Sequence, residues 1–270
     1  MKTNVIYNEN CIEGMRKIDS NSIDLIIADP PYNLSKGSNI LWDHTTDINL
    51  GGNWNKTMQK WDNYELNDYI SFTIAWLKEA QRILKPTGSM WIFGTYHNIG
   101  IVNTVCQLLN IEIINEVVWY KRNSFPNLAG RRLTASHENI LWCHKNEKKK
   151  RQYYFDYEYS KESEFSEDNL KEKGKQMRTV WDIPNNKEKR ELKFGKHPTQ
   201  KPLRLLKRMI NLSTKENDTI LVPFSGAGSE CLASKELNRN FIGFEIEKEY
   251  YDISIKRIND GDVQWQKLRN

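Results

Sequence analysis

Two consecutive prolines end the apolar run Ile23-Asp24-Leu25-Ile26-Ile27-Ala28, in the order Asp29-Pro30-Pro31-Tyr32. A run of that length reads as a short buried strand. Neither proline can extend a helix or donate to a ladder, so the strand must stop there. Open α/β sheets bind their ligands at the carboxyl ends of strands. The stiff segment at that place holds together a carboxylate (Asp29), a carbonyl without a competing local N–H (Pro30) and an aromatic ring (Tyr32). The set suits a planar base with an exocyclic amine: the acceptors take the N–H groups and the ring stacks on the face.

At 270 residues the chain is long enough for one large α/β domain or two small ones. Hydrophobic residues at 38% and charged residues at 28% support a packed core without a membrane. No apolar run approaches the roughly 20 residues that span a bilayer, and the segment Met1 to Tyr7 lacks the apolar stretch of a signal peptide. Cys11, Cys106, Cys143 and Cys231 have no metal-like spacing. They read as reduced packing thiols of a cytoplasmic protein, with no metal site. The net charge of +5 says less than its distribution. Lys145 to Arg151 is strongly basic, and Arg131-Arg132 adds a pair. The basic run reads equally as a solvated hairpin tip or as a face for a polyanion. The aromatic stretch Tyr153 to Tyr159 reads as an amphipathic strand.

Strand and helix patterns alternate through the first part of the chain. A strand, a helix and a strand occupy 3–35, a helix 66–84, a strand 89–94, a helix 97–109 and a strand 112–120. Residues 36–63, with Trp42, Trp54 and Trp61, read as a long loop. Such alternation marks a parallel sheet. Residues 121–196 are polar, basic and aromatic and break the pattern, so they read as an insertion outside the core. Alternation resumes with a helix near 201–214, a strand at 219–223, a helix near 228–237, a strand at 240–246 and a last helix.

A second constellation lies in that last part. Ile220-Leu221-Val222-Pro223-Phe224-Ser225-Gly226-Ala227-Gly228-Ser229 runs from a strand through a Gly-x-Gly turn into a helix. Glycines there admit a ligand close to the backbone, and the helix start offers free N–H donors. Glu245 ends the next strand, near the offset at which an acid reaches ribose hydroxyls. Cys231 stands where a dinucleotide fingerprint wants a third glycine. An adenosine-type ligand without a pyrophosphate fits, and S-adenosylmethionine is one.

Taken together, these residues resemble the amino-methyltransferases of DNA, in the β group of bacterial restriction–modification enzymes. His197-Pro198-Thr199-Gln200-Lys201-Pro202 and Phe241-Ile242-Gly243-Phe244-Glu245 resemble two further elements of that family. The resemblance implies a Rossmann-like methyltransferase sheet in circularly permuted order. Residues 1–120 would form its catalytic half, 121–196 a target-recognition insertion and 197–270 the cofactor half. It implies catalysis by Asp29, Pro30 and Tyr32. S-adenosylmethionine would be held by Asn10, Asp29, Lys201, Phe224, Ser225, Gly226, Gly228, Ser229 and Glu245, with Lys201 closing over the methionine end. Double-stranded DNA would lie against Arg122, Asn127, Arg131, Arg132, Lys148 and Lys149. A cognate restriction endonuclease and a second copy of the chain are the other partners implied.

Trp119-Tyr120-Lys121 to His137-Glu138, and Gly174 to Trp181, look like members that modify adenine in GATC. Three departures stand out: Val222 replaces an Asp, Ser229-Glu230 replaces Thr-Thr, and Asn10 replaces an Asp that faces the cofactor's adenine. The expected reaction is methyl transfer to the N6 amine of an extruded adenine. Methylation of cytosine N4, which usually shows Ser in place of Asp29, is the nearest rival. Methylation of a protein glutamine and a non-catalytic DNA-binding homologue are the others.

Overall fold

In a computed structural model of the protein, residues 1–33, 64–124, 126, 131–146, 151–161, 172, 174–185, 189–195, 197 and 199–268 are described. Trp42, Trp54, Trp61, Asn127, Lys148 and Lys149 lie outside them, as does all of the long loop expected at 36–63. The chain forms β1 (Val5–Tyr7), α1 (Cys11–Arg16), β2 (Ile23–Ala28), α2 (Leu66–Ile83), β3 (Leu84–Gly94), α3 (Ile99–Leu108), β4 (Ile111–Tyr120) and β5 (His137–Lys145). It continues with α4 (Tyr157–Lys161), β6 (Val180–Asp182), α5 (Leu203–Ser213), β7 (Thr219–Val222), α6 (Ser229–Glu236), β8 (Asn240–Phe244) and α7 (Lys248–Leu268).

The eight strands make one sheet in the order β1-β8-β7-β2-β3-β5-β4-β6. All neighbours are parallel except β5, which runs against both β3 and β4. Period-two alternation sends side chains to two separate cores. Leu25, Ile27, Trp91, Ile140 and Trp142 pack on one face with α5 and α6. Ile26, Ala28, Met90, Leu141 and Cys143 pack on the other with α1, α2 and α3. Trp91 stacks on Trp142 with centroids 4.9 Å apart, and its indole N–H donates to Ser213 Oγ at 2.9 Å.

Chain order and strand order together locate the crevice. After β2 the chain crosses to β3 on one side; after β7 it crosses to β8 on the other. β2 and β7 are nevertheless neighbours, paired through Leu25↔Ile220 and Ile26↔Leu221. The segments leaving their carboxyl ends must therefore part, and a crevice opens between them. This permuted arrangement puts Asp29-Pro30-Pro31-Tyr32 on one lip and the Gly-x-Gly turn on the other.

The expectation that 121–196 lies outside the core is corrected. β5 and β6 belong to the sheet, and Ile140, Leu141, Trp142 and Cys143 are core residues. Their apolar run was obscured by the polar segments around it. The stretch 153–159 is not a strand. Tyr153 and Phe155 pack against Trp142 at 5.3 and 5.4 Å, and Tyr157 begins α4. Leu141→Ala is expected to destabilise the protein by about 2–4 kcal/mol in urea unfolding at unchanged slope. A cost below about 0.5 kcal/mol, as at a surface site, would restore the peripheral reading.

Candidate active site

The prolines do what their chemistry predicts. β2 ends at Ala28, and Tyr69 Oη donates to the Pro31 carbonyl at 2.8 Å while accepting from Asn98 Nδ2 at 3.1 Å. Asn33, at φ 55°, accepts the Tyr64 N–H on its Oδ1 at 2.8 Å and closes the segment. Pro30 is buried, and no described residue donates a hydrogen bond to its carbonyl.

Each oxygen of Asp29 accepts one hydrogen bond. Tyr32 Oη donates to its Oδ1 at 2.5 Å, and Lys201 Nζ donates to its Oδ2 at 2.6 Å. Glu138, at the start of β5, reaches the same two donors: its Oε2 lies 3.1 Å from Tyr32 Oη and 3.5 Å from Lys201 Nζ. Its other oxygen accepts from Lys121 Nζ at 2.9 Å. β5 is antiparallel to β2's neighbours, so its first residues lie at the same sheet edge as Asp29. Burial pushes the Asp29 carboxyl up, against the pull of Lys201. Burial also pushes Glu138 up, but Lys201 and Lys121 outweigh it and hold that acid below its ordinary range. Burial works against the Lys201 ammonium, but Asp29 and Glu138 overcome it and raise its affinity for the proton. Of the two acids, Asp29 is the readier proton acceptor.

The opposite lip is the turn after β7. Ser225 N donates to Phe244 O at 2.9 Å, and Gly226 N donates to Glu245 Oε2 at 2.7 Å. Gly226 and Gly228 have φ of 48° and 79°, a region open to glycine. A Cβ on Gly228 would also sit 2.8 Å from that of Ser254. Ser225 Oγ is buried with no hydrogen-bond partner. Glu245 is pushed up to about 7 by burial, although the Glu247 and Gly226 N–H groups oppose the shift. A half-exposed glycine backbone, an open hydroxyl and an acid at the next strand end fit a ligand that presents several hydroxyl and amine groups. Phe224 forms the wall below, edge-on to Trp76 at 5.6 Å. Ser229 accepts from Arg257, which also donates to Ala227 O at 2.6 Å and Glu191 O at 2.7 Å. His197 covers Gly226 and contacts the Tyr250 ring at 4.3 Å; burial, then Lys201 and Arg257, push it down to about 3, so it packs as a neutral ring.

Other expected site residues fall less directly. Lys201, expected over the cofactor's methionine end, has its ammonium on Asp29 instead, 5.3 Å from the Tyr32 centroid. Tyr32 is only 5% exposed, so its ring is not a free stacking platform in this state. Asn10 caps α1 by accepting the Ile12 N–H at 2.9 Å. Arg122 pairs with Asp182 at 2.9 Å, and Arg131 and Arg132 are exposed on the loop between β4 and β5. That loop leaves the same edge as Asp29. The basic run after β5 does not: Lys145 bonds Asn21, before β2, and Arg151 pairs with Glu112 near the start of β4. The flanks of Lys148 and Lys149 are thus held at the far edge, away from the crevice.

The chain matches a family model described as DNA methylase over residues 23–256. It belongs to that family. The methylase is 40% identical over 257 residues to the Type II methyltransferase M2.LlaDCHI of Lactococcus lactis subsp. cremoris, covering 95% of this chain and 90% of the relative. It is 37% identical over 262 residues to the Type II methyltransferase M.HinfI of Haemophilus influenzae, covering 95% and 68%. Among solved structures it resembles the M1.HpyAVI–SAM complex, with TM-score 0.63, 26% identity and coverage of 94% and 98%. The fold also matches the cytosine-N4-specific PvuII DNA methyltransferase, with TM-score 0.70, 17% identity and coverage of 95% and 86%. The methylase is a site-specific DNA methyltransferase of the N6/N4 type, with a Rossmann-like sheet and S-adenosylmethionine as methyl donor. Among the described residues no helix is long and apolar enough to cross a membrane.

Glu138 carried no catalytic role in the sequence; its signal was an acid opening the apolar run Ile140 to Cys143. Glu230 is a second such acid, 5% exposed in the first turn of α6. Burial, then Asp29, push it up from 4.5 to about 7. Between those values the native state holds a proton that the unfolded chain has released, so stability falls as pH rises from about 4.5 to 7. Glu230→Gln removes that cost, on the order of 1–3 kcal/mol above pH ~7. It is expected to raise Tm at about pH 8 by at least ~2 °C, with no gain near pH ~4.5. An equal change at both pH values in calorimetric melts would contradict the assignment.

Proposed function

We propose that the methylase transfers its methyl group to the N6 amine of an adenine extruded from a short duplex site. The observation that carries this reading is the acceptor pair at the crevice: Asp29 with a raised proton affinity, followed directly by the Pro30 carbonyl, to which no described residue donates. Two acceptors from one stiff segment match the two hydrogens of an exocyclic amine. A carboxylate at position 29, rather than the Ser usual in N4-cytosine enzymes, favours adenine.

Extrusion costs a few kcal/mol. Arg122, Arg131 and Arg132 on the loop at the same edge supply cations for the phosphates. Phe224, Ser225, Gly226, Gly228 and Glu245 would hold S-adenosylmethionine, and Asn10 sets the start of the helix beside Glu245. When bound, that cofactor supplies an electrophilic methyl on a sulfonium. Asp29 and the Pro30 carbonyl orient the amine so that its lone pair leaves ring conjugation and faces the donor side of the crevice. As the nitrogen gains its methyl, it becomes strongly acidic, and Asp29 takes the proton. Tyr32 holds Asp29 in place, and its ring contributes stacking once Lys201 moves off its face. The GATC assignment rests on a segment whose Trp119 and Trp181 are core residues. Any reading of the site therefore falls to the exposed residues between them.

Asp29→Ala is expected to cut methylation of duplex DNA by at least ~1000-fold while calorimetric affinity for S-adenosylmethionine stays within ~3-fold. Digestion of DNA from cells making the wild-type protein should yield N6-methyladenine by mass spectrometry. N4-methylcytosine instead would move the target to cytosine, and an active Asp29→Ala variant would refute the role of the acid.

A further inference from the structure

We propose that Glu138 is a positioning residue that receives Lys201 when the target amine claims Asp29. The inference rests on the amine-methylating reading above and concerns how the base gains its place.

Both oxygens of Asp29 are occupied before any base arrives: Oδ1 by Tyr32 and Oδ2 by Lys201. An entering amine must share one of these oxygens or displace its donor. Displacing Lys201 from Asp29 with no other carboxylate in reach would leave its buried ammonium on the uncharged Thr199 carbonyl alone, a costly loss of its charged partner. Glu138 removes that cost. Its Oε2 already lies 3.1 Å from the Tyr32 hydroxyl and 3.5 Å from the Lys201 ammonium, so each donor has its next acceptor within a small shift. Lys121 holds the other Glu138 oxygen, which keeps the acid charged and aimed at the corner. The Lys201 ammonium also donates to the Thr199 carbonyl at 3.0 Å, a second tether beside the two carboxylates. The number of buried charges is the same before and after.

The test is a double-mutant cycle on base capture. The full chain is mixed with S-adenosylhomocysteine and a duplex carrying 2-aminopurine next to the base the enzyme methylates, which keeps its own exocyclic amine. Fluorescence then reports how much of the base is held outside the stack. Glu138→Gln is expected to lower that equilibrium about tenfold, because Lys201 stays on Asp29. In a Lys201→Met background the same change should cost less than ~2-fold, since no ammonium then needs a second acceptor. Glu138→Asp, which keeps the charge at shorter reach, should fall between wild type and Glu138→Gln, and it serves as the readout if the glutamine variant does not fold. Equal losses in both backgrounds, or an aspartate variant no better than glutamine, would overturn the proposal. A wild-type protein that neither methylates the duplex nor captures the base would instead defeat the amine-methylating reading, and the proposal with it.

Discussion

Neighbouring strands that send their chains in opposite directions are the constraint on which the rest of this molecule depends. β2 and β7 pair over Leu25↔Ile220 and Ile26↔Leu221, yet one leads to β3 and the other to β8. The two segments at their ends cannot close over each other. Sheet geometry therefore keeps an acid-bearing lip and a glycine-bearing lip a strand spacing, about 5 Å, apart at their roots. Everything chemical is added to that gap. β5 brings Glu138 to it because the strand runs backwards, and the segment before α5 brings Lys201.

Within the gap, the charges are arranged to be met rather than left alone. Asp29 and Glu138 face Lys201 and Lys121, a balanced set in which every member touches at least one opposite partner. Such clusters add little net stability, because desolvation offsets attraction. Their use is to define a state that a substrate must rearrange. Glu230 and Glu245 extend the same theme toward the glycine turn, where burial makes both acids reluctant to ionise. A cationic donor is welcome beside such groups. The orphaned Ser225 hydroxyl and the Pro30 carbonyl mark where neutral hydrogen bonds are still wanted.

How much of this was readable from residues alone follows from what each residue does locally. Asp29-Pro30-Pro31-Tyr32 was legible because prolines act on their own strand. The turn at Gly226 and Gly228 was legible because only glycine takes those dihedrals without cost. The placement of 137–145 was not, since an antiparallel strand between β3 and β4 depends on distant partners and its run is flanked by polar chain. Glu138 was invisible for the same reason: its meaning comes from Lys121, Tyr32 and Lys201, far apart in sequence. Lys201 was noticed through a motif, but its contact with Asp29 was not legible, because spacing cannot say which way a long side chain points. The basic run near Lys145 read equally as a hairpin tip or a face for a polyanion; the edge at which its flanks lie follows from the direction of β5.

The most direct measurement is a crystal structure of the ternary complex with a duplex containing the methylated site and a non-reactive cofactor analogue. The account predicts an extruded base whose exocyclic amine lies within hydrogen-bond distance, about 3 Å, of both Asp29 and the Pro30 carbonyl. The analogue should lie along the turn from Phe224 to Gly228, and the Lys201 ammonium should rest on Glu138. A complex in which the base is held elsewhere, with Lys201 still on Asp29, would contradict it.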